Sequence, residues 1–177
     1  MIRRIRQFLR AIFARLDGAD HRYVARWLPE AELQQLFYTM ALPDQCHALR
    51  TAHTAEKLLD EMPGEEKARV ARRLLLRCAL LHDVGRAKGT LGTMEKTAAV
   101  LLHRFFPRWA KARGKAPADG RLSAMLHVYF HHPRIGAAHL WQLGYEAEAA
   151  VVARHHAPPA PEDPAELDLL RRADALN

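Results

Sequence analysis

The sequence predicts an all-α domain. Apolar residues recur at spacings of three and four along most of the chain, no run alternates β-branched with polar residues, and Pro or Gly punctuates the gaps. Ile2, Ile5, Leu9, Ile12 and Leu16 mark an amphipathic helix over 2–16 with an arginine-rich back. Leu28-Pro29 predicts a second helix, with Pro29 at its first position, running to Met40. Leu42-Pro43-Asp44 reads as a break before a third helix over 44–62, closed by Pro63-Gly64. A fourth opens with Glu65 and Glu66 at its positive end and runs to Leu81, with Val70, Leu74, Leu75, Cys78 and Leu81 inward. Gly85 to Gly92 is a glycine loop, and a fifth helix covers 93–106. The basic, Pro/Gly-containing stretch 107–120 reads as a surface loop and as the segment most prone to disorder. Helices follow over 121–130, 134–143 and 146–155. A stiff connector, Ala157-Pro158-Pro159-Ala160-Pro161, leads to a last helix from Asp163 to the end. No internal repeat is present. Residues 1–40 are expected to be a helical extension packing on a domain formed by 41–177.

The chain has 177 residues, 49% hydrophobic and 27% charged, which is the composition of one globular domain. Domains of about 150 residues bury roughly 70% of their unfolded surface, so a sizeable core is available. Only two cysteines, Cys46 and Cys78, are present, in no pairing context. A disulfide scaffold is excluded and a reducing, cytoplasmic setting is expected. No apolar run approaches the ~20 residues that span a bilayer, and Arg6, Arg10 and Arg15 interrupt any signal-peptide core. The formal charge is +7. Residues 1–26 hold seven arginines against Asp17 and Asp20, whereas 27–177 hold 20 bases and 18 acids. The body is nearly neutral, so no stable nucleic-acid partner is expected. The basic helix 2–16 suits packing on the domain or across a homodimer interface first, then an anionic membrane surface, and last a nucleic-acid contact.

Histidine is the unusual residue, at eleven, six of them between 127 and 156. The sharpest motif is Leu80-Leu81-His82-Asp83-Val84-Gly85, where an apolar helix meets the glycine loop. Neighbours on a helix diverge by about 100°, but at a helix end both can face one ion. Imidazole with carboxylate suits zinc, iron or manganese. Alone, the pair also reads as a helix cap. His47 opens the third helix, His132-Pro133-Arg134-Ile135-Gly136 opens a later one, His155-His156 closes another, and Asp174 lies on the last. Five elements can therefore each offer a ligand to one centre.

That ordered set resembles the HD superfamily of metal-dependent phosphohydrolases, in particular the branch written His-Asp-Ile-Gly, over residues 44–177. The resemblance implies a two-metal site. His47, His82, Asp83 and Asp174 would hold one ion, and Asp83 would bridge to a second completed by His132, His155 and His156. Iron or manganese is implied first, with zinc, nickel or magnesium as alternatives. Two cations about 3.5–4 Å apart can activate one water for attack on phosphorus. The implied substrate is a small phosphate ester or anhydride, a nucleotide or dinucleotide, with Asp83 and Arg86 catalytic. Arg86, Lys88 and Arg134 flank the motifs and read equally as phosphate-gripping residues or as a solvated face. A catalytically silent metal-binding regulatory module is the alternative.

The chain departs from the family pattern in three places. Arg86 stands where the family often has Lys, and the two are not interchangeable at a phosphate. Ala157-Pro158-Pro159 replaces the Gly-Tyr-Pro that follows the His-His pair in the cyclic-di-GMP phosphodiesterases, which argues against that substrate. Asp174 stands three residues from the last residue, so its helix is expected to fray. His127 and His131, an i, i+4 pair, could bind zinc on one helix face but read first as supporting or surface residues beside His132. His21, His53, His103 and His139 read as surface or packing residues, and Cys46 and Cys78 as core. His53 lies six residues beyond His47, on another face of the helix.

Overall fold

The computed structural model describes residues 15–86, 93–116 and 120–177. Among them ten helices and no strand occur: α1 (Gly18–Trp27), α2 (Ala31–Tyr38), α3 (Leu42–Asp60), α4 (Gly64–Ala68), α5 (Arg72–Leu81), α6 (Thr93–Phe105), α7 (Pro107–Arg113), α8 (Arg121–Gln142), α9 (Glu146–Arg154) and α10 (Ala165–Leu176). The domain is all-α, as the periodicity predicts. No described helix is long and apolar enough to cross a membrane. The predicted helix 2–16 lies mostly outside the described residues.

α5 is the central element. Every residue from Leu75 to Leu81 is buried, which requires neighbours on all sides. α3, α9, α10, α1 and α2 supply them. Val24, Leu28, Leu33, Phe37 and Met40 belong to the same buried cluster as Leu75, Leu80 and Leu170. α6 and α7 form a separate, thinner layer against α8, closed by Ala99, Ala110, Met125 and Leu126.

Several element boundaries differ from the sequence reading, each for a local reason. α1 was not expected. Asp17 starts it with a capping box: its Oδ1 accepts from the Ala19 and Asp20 amides at 2.7 and 2.9 Å, and the Asp17 amide donates to Asp20 Oδ2 at 3.0 Å. Pro29 does not open α2. Glu30 is the extended residue before it, its carboxylate held by Arg73 and Arg77 at 2.9 and 3.2 Å. Pro43 does not break the chain but sits in the first turn of α3, where its missing N–H costs nothing. The predicted helix 65–81 is two helices, because Ala71 is extended and gives its amide to Glu166 Oε1 at 2.7 Å. The expected loop 107–120 contains α7, with Pro107 in its first turn and Ala110 buried.

The largest correction is α8. Two helices were expected on either side of Pro133, yet one 22-residue helix runs through it. Proline has no N–H for the Tyr129 carbonyl. His132 Nδ1 donates to that carbonyl instead, at 3.1 Å, so the freed group keeps a partner. Pro133 thus creates the place where His132 is held, and His132 lies inside a helix rather than opening one. α10 is also anchored against the fraying expected: Asn177 Nδ2 donates to Thr54 Oγ1 and to the Ala173 carbonyl, both at 2.9 Å.

Candidate metal centre

The seven candidate ligands come from α3, the end of α5, α8, the end of α9, and α10. His82 is the C-cap of α5, and Asp83 follows in a turn closed by the Arg86 amide on the Asp83 carbonyl at 2.9 Å. Both side chains are 1% exposed. The glycine after them is required by contact. A Cβ on Gly85 would lie 2.1 Å from the His132 carbonyl oxygen, and one on Gly136 would lie 3.1 Å from the Gly85 nitrogen. The backbone of the His-Asp turn and that of α8 therefore touch without side chains between, which brings Asp83 beside His132. At the other end, Asp163 is paired with Arg154 and Arg171, fixing the chain that follows His155 and His156 against α10.

Three histidines share one hydrogen-bond pattern. His82 Nδ1 meets the Ala79 carbonyl at 2.9 Å, His132 Nδ1 the Tyr129 carbonyl at 3.1 Å, and His155 Nδ1 the Val152 carbonyl at 2.7 Å. A carbonyl only accepts, so each Nδ1 carries the hydrogen and each Nε2 presents a lone pair. These Nε2 atoms converge on Asp83. His132 Nε2 is 3.3 Å from Asp83 Oδ1, and His82 Nε2 is 3.6 Å from Asp83 Oδ2. His82 Nε2, His155 Nε2 and Asp83 Oδ1 are buried and have no hydrogen-bond partner. Each such orphan costs about 1–3 kcal/mol. Acceptors facing acceptors at these distances are stabilised by a cation between them.

The remaining ligands form the mouth. His47 Nε2 lies 2.9 Å from Asp174 Oδ1, with side-chain exposures of 22% and 21%. His82 Nε2 is 3.8 Å from the same oxygen. His156 is exposed and its ring lies 4.1 Å from that of His155 and 5.1 Å from that of His132. Three overlapping groups could each hold an ion: His47, His82 and Asp174; His82, Asp83 and His155; His132, His155 and His156. The donors fit transition metals, imidazole nitrogen with carboxylate oxygen and no thiolate. Cys78 is buried apart, with Sγ near the Glu148 carbonyl.

The electrostatics suit cation binding. Burial alone would raise the Asp83 carboxyl, but the Arg86 guanidinium and the surrounding histidines outweigh it and hold it well below the usual range. Asp174 is likewise held well below its ordinary value, burial being overcome by the hydrogen bond from His47. Burial, reinforced by Arg86, pushes His132 down to about 4. Burial and the neighbouring imidazoles push His155 well below its ordinary value too. The carboxylates are thus charged and these imidazoles neutral at pH 7, the states in which they bind metal.

Arg86 lies inside this centre. Its Nη1 donates to Asp83 Oδ2 at 2.7 Å and its Nη2 to His132 Nε2 at 2.8 Å. Arg134 is exposed, about 200° around α8 from His132, and is not brought to the cluster. Lys88 lies outside the described residues. His127 and His131 stack on each other at 4.6 Å, and His127 Nδ1 reaches the Gly114 carbonyl at 3.1 Å. His53 stacks on Tyr23 at 4.1 Å, and His21 bonds Tyr38 at 2.8 Å. His103 packs on Tyr129 and Phe130. What sequence reasoning missed is the supporting layer: the Ala79, Tyr129 and Val152 carbonyls and the Asp163 ion pairs. The three carbonyls each precede a candidate histidine by three residues at a helix end or at a proline, and that spacing was readable.

The comparisons agree with the geometry. The family model described as HD domain matches residues 45–177. No curated protein and no solved structure gave a match. The matched stretch includes every candidate ligand and covers most of the chain, so this protein belongs to the HD-domain family, whose members are mostly metal-dependent hydrolases.

Proposed function

We propose that this protein hydrolyses a phosphate ester or anhydride, a nucleotide or dinucleotide, using water activated by divalent cations in the His–Asp cluster. The observation that carries the reading is the set of buried acceptors without partners, His82 Nε2, His155 Nε2 and Asp83 Oδ1, converging in one place. His47, His82, Asp83 and Asp174 hold a first cation in this reading, and Asp83, His132, His155 and His156 a second. Divalent cations held there would lower the pKa of a shared water and neutralise charge on the phosphoryl oxygens. The chain's own part is positional. Asp83 supplies two oxygens from a turn fixed by the Gly85–Gly136 contact. The Nδ1 bonds of His82, His132 and His155 fix which nitrogen each ring presents. His47, Asp174 and His156 line the side open to solvent, where a phosphorylated substrate would enter.

A catalytically silent metal-binding module is the second reading, and the contact of Arg86 with two ligand atoms is what favours it. The discriminating experiment is hydrolysis of an aryl phosphate by the purified chain with manganese or iron added. Turnover that vanishes on chelation and returns with metal is expected. Stoichiometric metal binding without turnover on aryl phosphates or nucleotides would favour the module.

A further inference from the structure

We infer that Arg86 is a built-in competitor for the second cation, a guanidinium that must leave Asp83 and His132 before an ion can share them. The inference rests on the metal-centre reading above and concerns how that centre is loaded. Arg86 makes a two-point grip, Nη1 on Asp83 Oδ2 at 2.7 Å and Nη2 on His132 Nε2 at 2.8 Å. Arginine has donors only, and His132 Nδ1 is committed to the Tyr129 carbonyl. The guanidinium therefore uses the very lone pair of His132 that an ion would use. It also takes a carboxylate oxygen of the residue proposed to bridge. One acceptor pair cannot serve both cations at once.

The grip is local and firm. Asp83 and Arg86 belong to one turn, with side-chain exposures of 1% and 19%, and charge-assisted forks are the strong class of hydrogen bond. Lysine, with one compact ammonium, does not offer this fork. The other end of the centre differs. Among the described residues, no arginine or lysine is hydrogen-bonded to His47, His82 or Asp174; their polar contacts are with one another, with Asp83 and with the Ala79 carbonyl. The centre is therefore asymmetric: Arg86 takes the His132 lone pair from the second subsite, and from the first only a share of Asp83 Oδ2, the oxygen 3.6 Å from His82 Nε2. Loading is sequential, and the second ion binds at least tenfold more weakly than the first.

The test is a Mn2+ titration of the full chain by calorimetry, with EPR reporting the appearance of a spin-coupled pair. The wild type is expected to show a tight step and a weaker one. Arg86→Ala should tighten the second step at least tenfold and move the first less than threefold. Removing a positive charge would tighten any nearby site somewhat, so Arg86→Lys separates the two causes. It keeps the charge but replaces the planar two-nitrogen fork with a single, shorter and more mobile ammonium, and should tighten the second step at least threefold. If Arg86→Ala does not fold, the lysine variant decides alone. A second step unchanged or weakened in the variants overturns the inference, as does an Arg86→Lys protein identical to wild type. Those outcomes leave the metal-centre reading standing, because Mn2+ still binds. A chain that binds no Mn2+ in any form overturns both.

Discussion

The floor and the mouth of the His–Asp cluster are built to different standards. In the floor, His82, Asp83, His132 and His155 are nearly inaccessible, and each imidazole is locked by a carbonyl three residues earlier. In the mouth, His47 and Asp174 are about a fifth exposed and hold mainly each other, and His156 is exposed. The floor is preorganised at a folding cost, since it keeps acceptors buried without donors. The mouth can adjust to what arrives. The candidate ligands of the floor are thus fixed by the core, and those of the mouth are held mainly by one another.

The largest effect should come from Asp83→Asn in the floor. It removes the one charge proposed to serve both ions while keeping the side chain's size. Hydrolysis should fall at least a thousandfold per folded molecule with metal in excess, with helical circular dichroism unchanged. Activity within tenfold of wild type, about 1.4 kcal/mol of barrier, would remove Asp83 from its bridging role. Gly85→Ala comes next. Its Cβ would press on the His132 carbonyl, which is backbone and cannot rotate away. A loss of about 3 kcal/mol in denaturant unfolding is expected, with weaker metal binding in the fraction that folds.

His155→Ala should lower metal stoichiometry toward one per chain, while His47, His82, Asp83 and Asp174 keep the first ion. Undiminished stoichiometry would count against two subsites.

Acid tests the floor without a substitution. His132 titrates in the fold at about 4 and His155 well below its ordinary 6.5. Below pH 6.5 the unfolded chain takes up protons that the metal-free fold refuses. Stability should therefore be full above pH 6.5 and decline as pH falls toward 4, by about 1.4 kcal/mol per unit for each such histidine. Urea unfolding of metal-free protein across that range checks it, and a flat profile would mean these rings are already charged in the fold. The smallest effect belongs to His53→Ala. It loses a partly exposed stack on Tyr23, about 1 kcal/mol or less, and should leave metal binding and hydrolysis unchanged.

Much of this was legible in the sequence because the fold class and the ligand set are carried by local patterns. Helical periodicity is set within a few turns, and a His-Asp pair at a helix–glycine junction is visible in six residues. The misreadings all involve partners distant in sequence or side chains acting on backbone. Pro133 looks like a break until His132 is seen to take the Tyr129 carbonyl. The division of 65–81 depends on Glu166, 95 residues from the Ala71 amide it accepts. The contact of Arg86 with His132, 46 residues away, is likewise invisible in the sequence, where only the charge of Arg86 is evident. The α6–α7 layer was partly missed because a basic, proline-led segment resembles a loop until buried Ala110 is seen against α8.

The central claim is that this cluster exists to hold divalent metal. It is tested most directly by the metal content of the full chain, freshly purified and again after incubation with manganese, iron or zinc, alongside its melting temperature. The account expects about one to two transition-metal ions per folded chain. Chelator should remove them and lower the melting temperature by several degrees. A chain that retains less than about a tenth of an equivalent of any metal, and melts identically with and without chelator, would contradict it.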